Sequence, residues 1–97
     1  MSSANPALFN LRYLRAFLAV AQRGGVTRGA AQLLRAQSVV TRAIHKLEES
    51  LGVPLFERHA VGVELTVYGK ALLVRAERAA AELAQARLDM QPLCPRG

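Results

Sequence analysis

Apolar side chains at Tyr68, Leu72, Ala76, Ala79, Leu83, Ala86 and Met90 recur at steps of four or three without a break. That is the period of one face of an α-helix, and no other feature restricts the fold of this chain as strongly. A helix over 66–90 is roughly 35 Å long at about 1.5 Å per residue. The whole chain has only 97 residues, room for one small domain with a limited core. The helical patterns before the stripe are too short to cover all of it. The stripe therefore predicts a partner helix, and its alanines let a second copy of the same helix approach closely.

The segments upstream are punctuated by residues with specific backbone roles. Asn10 suits the N-cap of a first helix reaching about residue 23, where Leu11, Leu14, Leu18 and Ala21 repeat, backed by Phe17 and Val20. Gly24-Gly25 ends it. Thr27 is expected to cap a short second helix carrying Ala30 and Leu33. A turn at Leu34, Arg35 and Ala36 leads into a third helix from Gln37 to Leu51, with Val40, Ile44, Leu47 and Leu51 as its buried stripe. Gly52 supplies the residue beyond its end, and Pro54 blocks continuation. Residues 55–58 read as a strand, 59–62 as a turn and 63–65 as a return strand, after which Thr66 caps the long helix.

The expected fold is thus mainly α: a winged helix-turn-helix, with three helices plus a β-hairpin wing over 10–65, followed by a long linker helix over 66–90 that serves dimerisation. Residues 1–9 are expected to form a flexible arm and 91–97 a disordered tail.

Charge is segregated along this fold. Residues 1–47 carry Arg12, Arg15, Arg23, Arg28, Arg35, Arg42 and Lys46 and no acid, whereas 48–97 carry six basic and seven acidic residues. The halves are +7 and −1, within a net charge of +6. A folded half with seven cations and no carboxylate attracts a polyanion, above all nucleic acid. With no Trp, three Phe and two Tyr, a base-stacking platform for single strands is not expected.

Other classes are excluded on composition. One cysteine, Cys94, allows no intrachain disulfide, and one Cys with two separated His makes no zinc cluster. No run of apolar residues is long enough to span a membrane, and the N-terminus MSSANPALFN lacks a secretory pattern. Neither a nucleophile–base–acid set nor a glycine-rich phosphate loop is visible. No enzyme activity, cofactor or metal is expected, and the default location is intracellular.

The third helix carries the functional pattern. Opposite its core stripe lie Ser38, Thr41, Arg42 and His45, a polar and cationic face that fits the major groove of duplex DNA. Its first turn is placed for base contacts. His45 and Lys46 are expected to face phosphate, and His59 to touch the backbone or minor groove from the wing tip. Glu48 and Glu49 read as ion-pair partners near the helix end.

These residues carry a family resemblance. The segments FNLRYLRAFLAVAQRGGVTRGAAQLL, AQSVVTRAIHKLEESLGVPLFER and LTVYGKALL together resemble the N-terminal domain of LysR-type transcriptional regulators over about residues 9–90. The resemblance implies bacterial, cytoplasmic transcription regulation, at the nucleoid, and sequence-specific binding to an interrupted inverted repeat near a promoter. It also implies a homodimer through paired linker helices, with a small-molecule effector bound only by a separate domain.

Position by position, it places DNA-facing roles on Gln37, Ser38, Thr41 and Arg42, and phosphate contacts on Thr27, Arg28 and Arg58. The linker-helix cap falls on Thr66. Departures from the family pattern are Ala36 in place of a capping serine, Ser38 in place of proline, Gly29 in place of alanine, and Arg35 in place of an apolar residue. Arg35 is then expected to reach phosphate while Leu34 fills the core. Two alternatives are a short module that hetero-dimerises with a full-length regulator through the linker helix, and a basic protein that coats DNA without sequence preference.

Overall fold

A computed structural model describes residues 10–91. The expected arm at 1–9, Cys94 and all of the expected tail except Gln91 lie outside the described residues. The element order is α1 (Leu11–Arg23), α2 (Val26–Leu33), α3 (Gln37–Leu51), β1 (Phe56–His59), β2 (Gly62–Leu65) and α4 (Val67–Met90). This is the mainly α winged helix-turn-helix with a long terminal helix that the periodicity predicts.

Local chemistry sets most boundaries. The Asn10 side chain accepts a hydrogen bond from the Arg12 amide at 2.9 Å, satisfying one of the donors left open at a helix start. Gly24 takes the left-handed conformation at φ 82°, and its amide donates to the Val20 carbonyl at 2.9 Å. Gly52 ends α3 in the same way, at φ 76°.

The start of α2 differs from expectation. Its N-cap is Gly25, with no side-chain cap, and Thr27 is already inside the helix. The end of α2 differs too. Leu34 sits in the left-handed region at φ 58°, with the Leu34 amide donating to Ala31 and the Arg35 amide to Ala30. That double closure normally uses glycine. It turns the Leu34 side chain outward, 89% exposed, so Leu34 does not fill the core. Leu33 packs there instead.

Two clusters make up the interior. Ala16, Val20, Ala30, Val40 and Ile44 join α1, α2 and α3. Phe17, Leu47, Leu55 and Ala76 join α1 and α3 to the loop before the wing and to α4. Phe56 touches both, its ring 5.4 Å from that of Phe17. Of the stripe expected on α3, Val40, Ile44 and Leu47 are buried, but Leu51 is exposed at the helix end.

The wing is one residue out of phase with expectation. β1 and β2 pair antiparallel, Phe56 with Leu65 through His59 with Gly62, leaving only Ala60 and Val61 in the turn. Leu55 is fully buried before the strand begins. Its amide donates to the Glu48 carboxylate at 2.7 Å, and the Phe56 amide does so at 3.4 Å. Glu48 therefore anchors the wing to α3 by accepting backbone hydrogen bonds, in place of the expected ion pair.

Thr66 couples wing to terminal helix. Its hydroxyl donates to the Pro54 carbonyl at 2.7 Å and accepts from the Gly69 amide at 3.0 Å, while its own amide donates to the Leu55 carbonyl. Gly69 has a packing reason: a Cβ there would collide with the Leu55 carbonyl oxygen. Gly29 likewise lets α2 approach α1, since a Cβ would lie 2.9 Å from the Val20 side chain. Only the first part of α4 packs on the body. Leu72 is half-buried and Ala76 buried, whereas every residue from 77 to 91 is exposed.

Candidate nucleic-acid interface

The buried stripe of α3 fixes which of its side chains face outward. At about 100° per residue, anchoring Val40, Ile44 and Leu47 turns Ser38, Arg42 and His45 to the opposite face, where all three are exposed. Ser38, Thr41, Arg42, His45, Lys46 and Glu49 line one open surface along that face. Gln37 is exposed at its start, and Thr41 is half-buried toward the wing. Ala36 offers no side-chain cap, as its identity requires. The first amides of α3 thus point outward with no side chain over them, a favourable arrangement for an anion.

The remaining predicted residues surround this face. Thr27 and Arg28 are exposed in the first turn of α2, Arg35 is exposed in the turn before α3, and Arg58 is exposed on β1. Arg58 lines a small cleft between α3 and the wing together with Thr41, His45 and Glu48. Lys46 is exposed, and its carbonyl accepts from the Ser50 hydroxyl at 2.9 Å. None of the side chains of Arg28, Arg35, Arg42, Lys46 and Arg58 forms an ion pair or hydrogen bond with a described residue.

His59 stands apart from this set. Its Nε2 lies 2.7 Å from Glu64, the cross-strand partner of Glu57. That contact engages one ring nitrogen of an exposed imidazole and leaves Nδ1 for a phosphate. Glu57, His59 and Glu64 bring their ligand atoms within 4.8 Å of one another, all exposed. They form the one such trio among the described residues.

The surface expected for dimerisation divides in two. Ala76 and part of Leu72 are used by the body of the same chain. Tyr68, Ala79, Leu83, Ala86 and Met90 remain on the surface, with Leu83 58% and Met90 61% exposed. Leu83, Ala86 and Met90 lie on the part of α4 that projects beyond the body. None of the described helices is long and apolar enough to cross a membrane.

Sequence reasoning missed two cations. Arg12 and Arg15 on α1 border the same side of α3 as Lys46. They belong to the acid-free half, and that charge bias was their only signal in the sequence.

Residues 11–70 match the model of the bacterial regulatory helix-turn-helix protein, lysR family. The chain is 60% identical over 74 residues to the HTH-type transcriptional regulator GalR of Pseudomonas putida, covering 76% of this chain and 19% of that protein. It is 41% identical over 86 residues to the HTH-type transcriptional regulator YofA of Bacillus subtilis, covering 84% of this chain and 30% of that protein. The chain thus spans less than a third of the length of these relatives.

Among solved structures, the BenM_DBD/catB site 1 DNA complex matches with a TM-score of 0.85 at 30% identity, over 92% of this chain and all of that one. The CbnR_DBD–DNA complex matches with a TM-score of 0.76 at 39% identity, over 91% of this chain and all of that one.

Proposed function

The chain belongs to the lysR family of bacterial helix-turn-helix regulators and carries its DNA-binding domain, and from that premise we propose that it binds promoter DNA as a sequence-specific homodimer. The observation that carries the proposal is the outward face of α3. Ser38, Arg42 and His45 are exposed on a helix whose other side is anchored by Val40, Ile44 and Leu47. The same fold occurs in the BenM_DBD and CbnR_DBD complexes with DNA.

The domain division follows. Residues 10–65 form the DNA-binding body and 66–90 the linker helix. α3 enters the major groove, where Gln37, Ser38, Thr41 and Arg42 meet base edges. Arg42 is suited to bidentate pairing with guanine, worth about 1–3 kcal/mol of discrimination. Thr27, Arg28, Arg35, His45, Lys46, Arg58 and His59 meet phosphates, which supply most of the affinity and make it steeply salt-dependent.

The projecting part of α4 supports the dimer. Its apolar stripe beyond Ala76 is exposed at Ala79, Leu83 and Ala86, and an antiparallel second copy would bury Ala79, Leu83, Ala86 and Met90 together. Two-fold pairing of two identical readers implies an inverted repeat as the site. An effector would act through a separate domain, and the place of action is the bacterial cytoplasm at the nucleoid.

Selection from random duplex DNA at physiological salt tests the reading. An enriched inverted repeat with fixed spacing is expected. Binding without enrichment would favour a non-specific coating protein, and weak binding with capture of a longer relative's linker helix would favour a hetero-dimerising module.

A further inference from the structure

A second cationic surface lies beside α3. A groove of about 760 Å³ runs between the first half of α1 and α3, edged by Arg12, Arg15, Arg35, Arg42 and Lys46. Its floor is apolar, including Ala16, Leu33 and Val40. No described carboxylate lines it, and none of the five cationic side chains has an ion pair or hydrogen bond with a described residue. Arg23 shows the contrast: outside the groove, its Nε donates to the Gln32 side chain at 2.5 Å.

The position of the groove relative to the wing matters. Thr41 and Glu48 face the wing side of α3, where Arg58 stands. Val39, Ala43 and Lys46 face the α1 side. A helix lying in the major groove has a phosphate backbone on each flank, and the wing serves only one of them.

We propose that Arg12 and Arg15 hold the sugar–phosphate backbone on the other flank, so that α3 is clamped between a wing contact and an α1 contact. The inference rests on the DNA-binding reading above and extends its footprint. With Arg42 given to a base edge, Arg12, Arg15, Arg35 and Lys46 are spread over three segments and suit a string of phosphates better than a single small anion. The apolar floor suits the deoxyribose carbons between the phosphates.

The test compares the 97-residue chain with Arg12→Gln/Arg15→Gln and with Arg12→Lys/Arg15→Lys on a duplex taken from the selection. Binding is measured across a salt series, and the backbone is mapped by hydroxyl-radical protection. The Gln variant should flatten the dependence of log K on log salt by about 2 per protomer. It should also lose protection on the flank away from the wing while keeping the preferred base sequence. The Lys variant should retain the wild-type slope.

An unchanged slope and footprint in a Gln variant that melts like wild type overturns the groove contact alone, and an acidic protein partner then becomes its occupant. A wild-type chain that binds no duplex overturns the DNA-binding reading, and this inference with it.

Discussion

Thr66 joins three segments with one hydroxyl and one amide. The hydroxyl holds the Pro54 carbonyl and the Gly69 amide, and the amide holds the Leu55 carbonyl. Replacing it by alanine removes a helix cap, about 1 kcal/mol, and leaves a part-buried carbonyl short of a donor, about 1–3 kcal/mol more. Urea unfolding of Thr66→Ala should therefore show a loss of about 2–4 kcal/mol; a loss below about 0.5 kcal/mol would show that the contacts do not hold the wing to α4. Leu34 gives the opposite sign. A non-glycine residue in the left-handed region costs about 1–2 kcal/mol, and this side chain is outside the core, so no packing is lost on its removal. Against the extra chain entropy of glycine, Leu34→Gly should still gain about 0.5–1 kcal/mol, read as a rise in Tm. A fall would mean that the Leu34 side chain makes a contact of its own.

At the scale of elements, α3 and α4 differ in what covers them. α3 has its apolar side filled by α1, α2 and the loop before the wing, and its polar side open. α4 is covered only as far as Ala76, and its apolar stripe continues over the exposed turns beyond. Leu83→Asp places a charge in that stripe at a position 58% exposed in the single chain. Sedimentation over a concentration series should show a dimer for the wild type and a folded monomer for the variant, whose helix-propensity cost of about 0.5–1 kcal/mol adds to the stability lost with the partner. A variant as dimeric as the wild type would remove α4 from the interface.

Both ends of α1, the end of α3 and the start of α4 are legible because they depend on local chemistry: as caps, Asn10, Gly24, Gly52 and Thr66 act on amides and carbonyls within four residues along the chain. The wing register is not, because it depends on tertiary contacts. Leu55 leaves the strand to fill the core beside Phe17 and Leu47, and Glu48 holds its amide from α3. The exchange of Leu33 for Leu34 had the same origin, since a single left-handed residue reversed which of two adjacent leucines points inward. Arg12 and Arg15 show in the sequence only as part of the acid-free half, because their role lies in the meeting of α1 with α3, which no spacing within α1 encodes.

Across the whole molecule, these elements place a cationic face on one side, flanked by the wing and by α1, while the far part of α4 projects from the body. Extents of 52 × 38 × 21 Å reflect that projection. Polyanion attraction would come from the whole acid-free half, so affinity alone does not identify α3 as the reader of sequence. Arg42 is the side chain that would distinguish base contact from phosphate contact.

The most direct measurement is a paired selection from random duplex DNA with the wild-type chain and with Arg42→Ala, both sequenced at physiological salt. The wild type should enrich an inverted repeat. The variant should enrich the same spacing with relaxed preference at one symmetry-related position in each half-site. Identical sequence preferences for the two proteins would exclude Arg42 as a reader of bases.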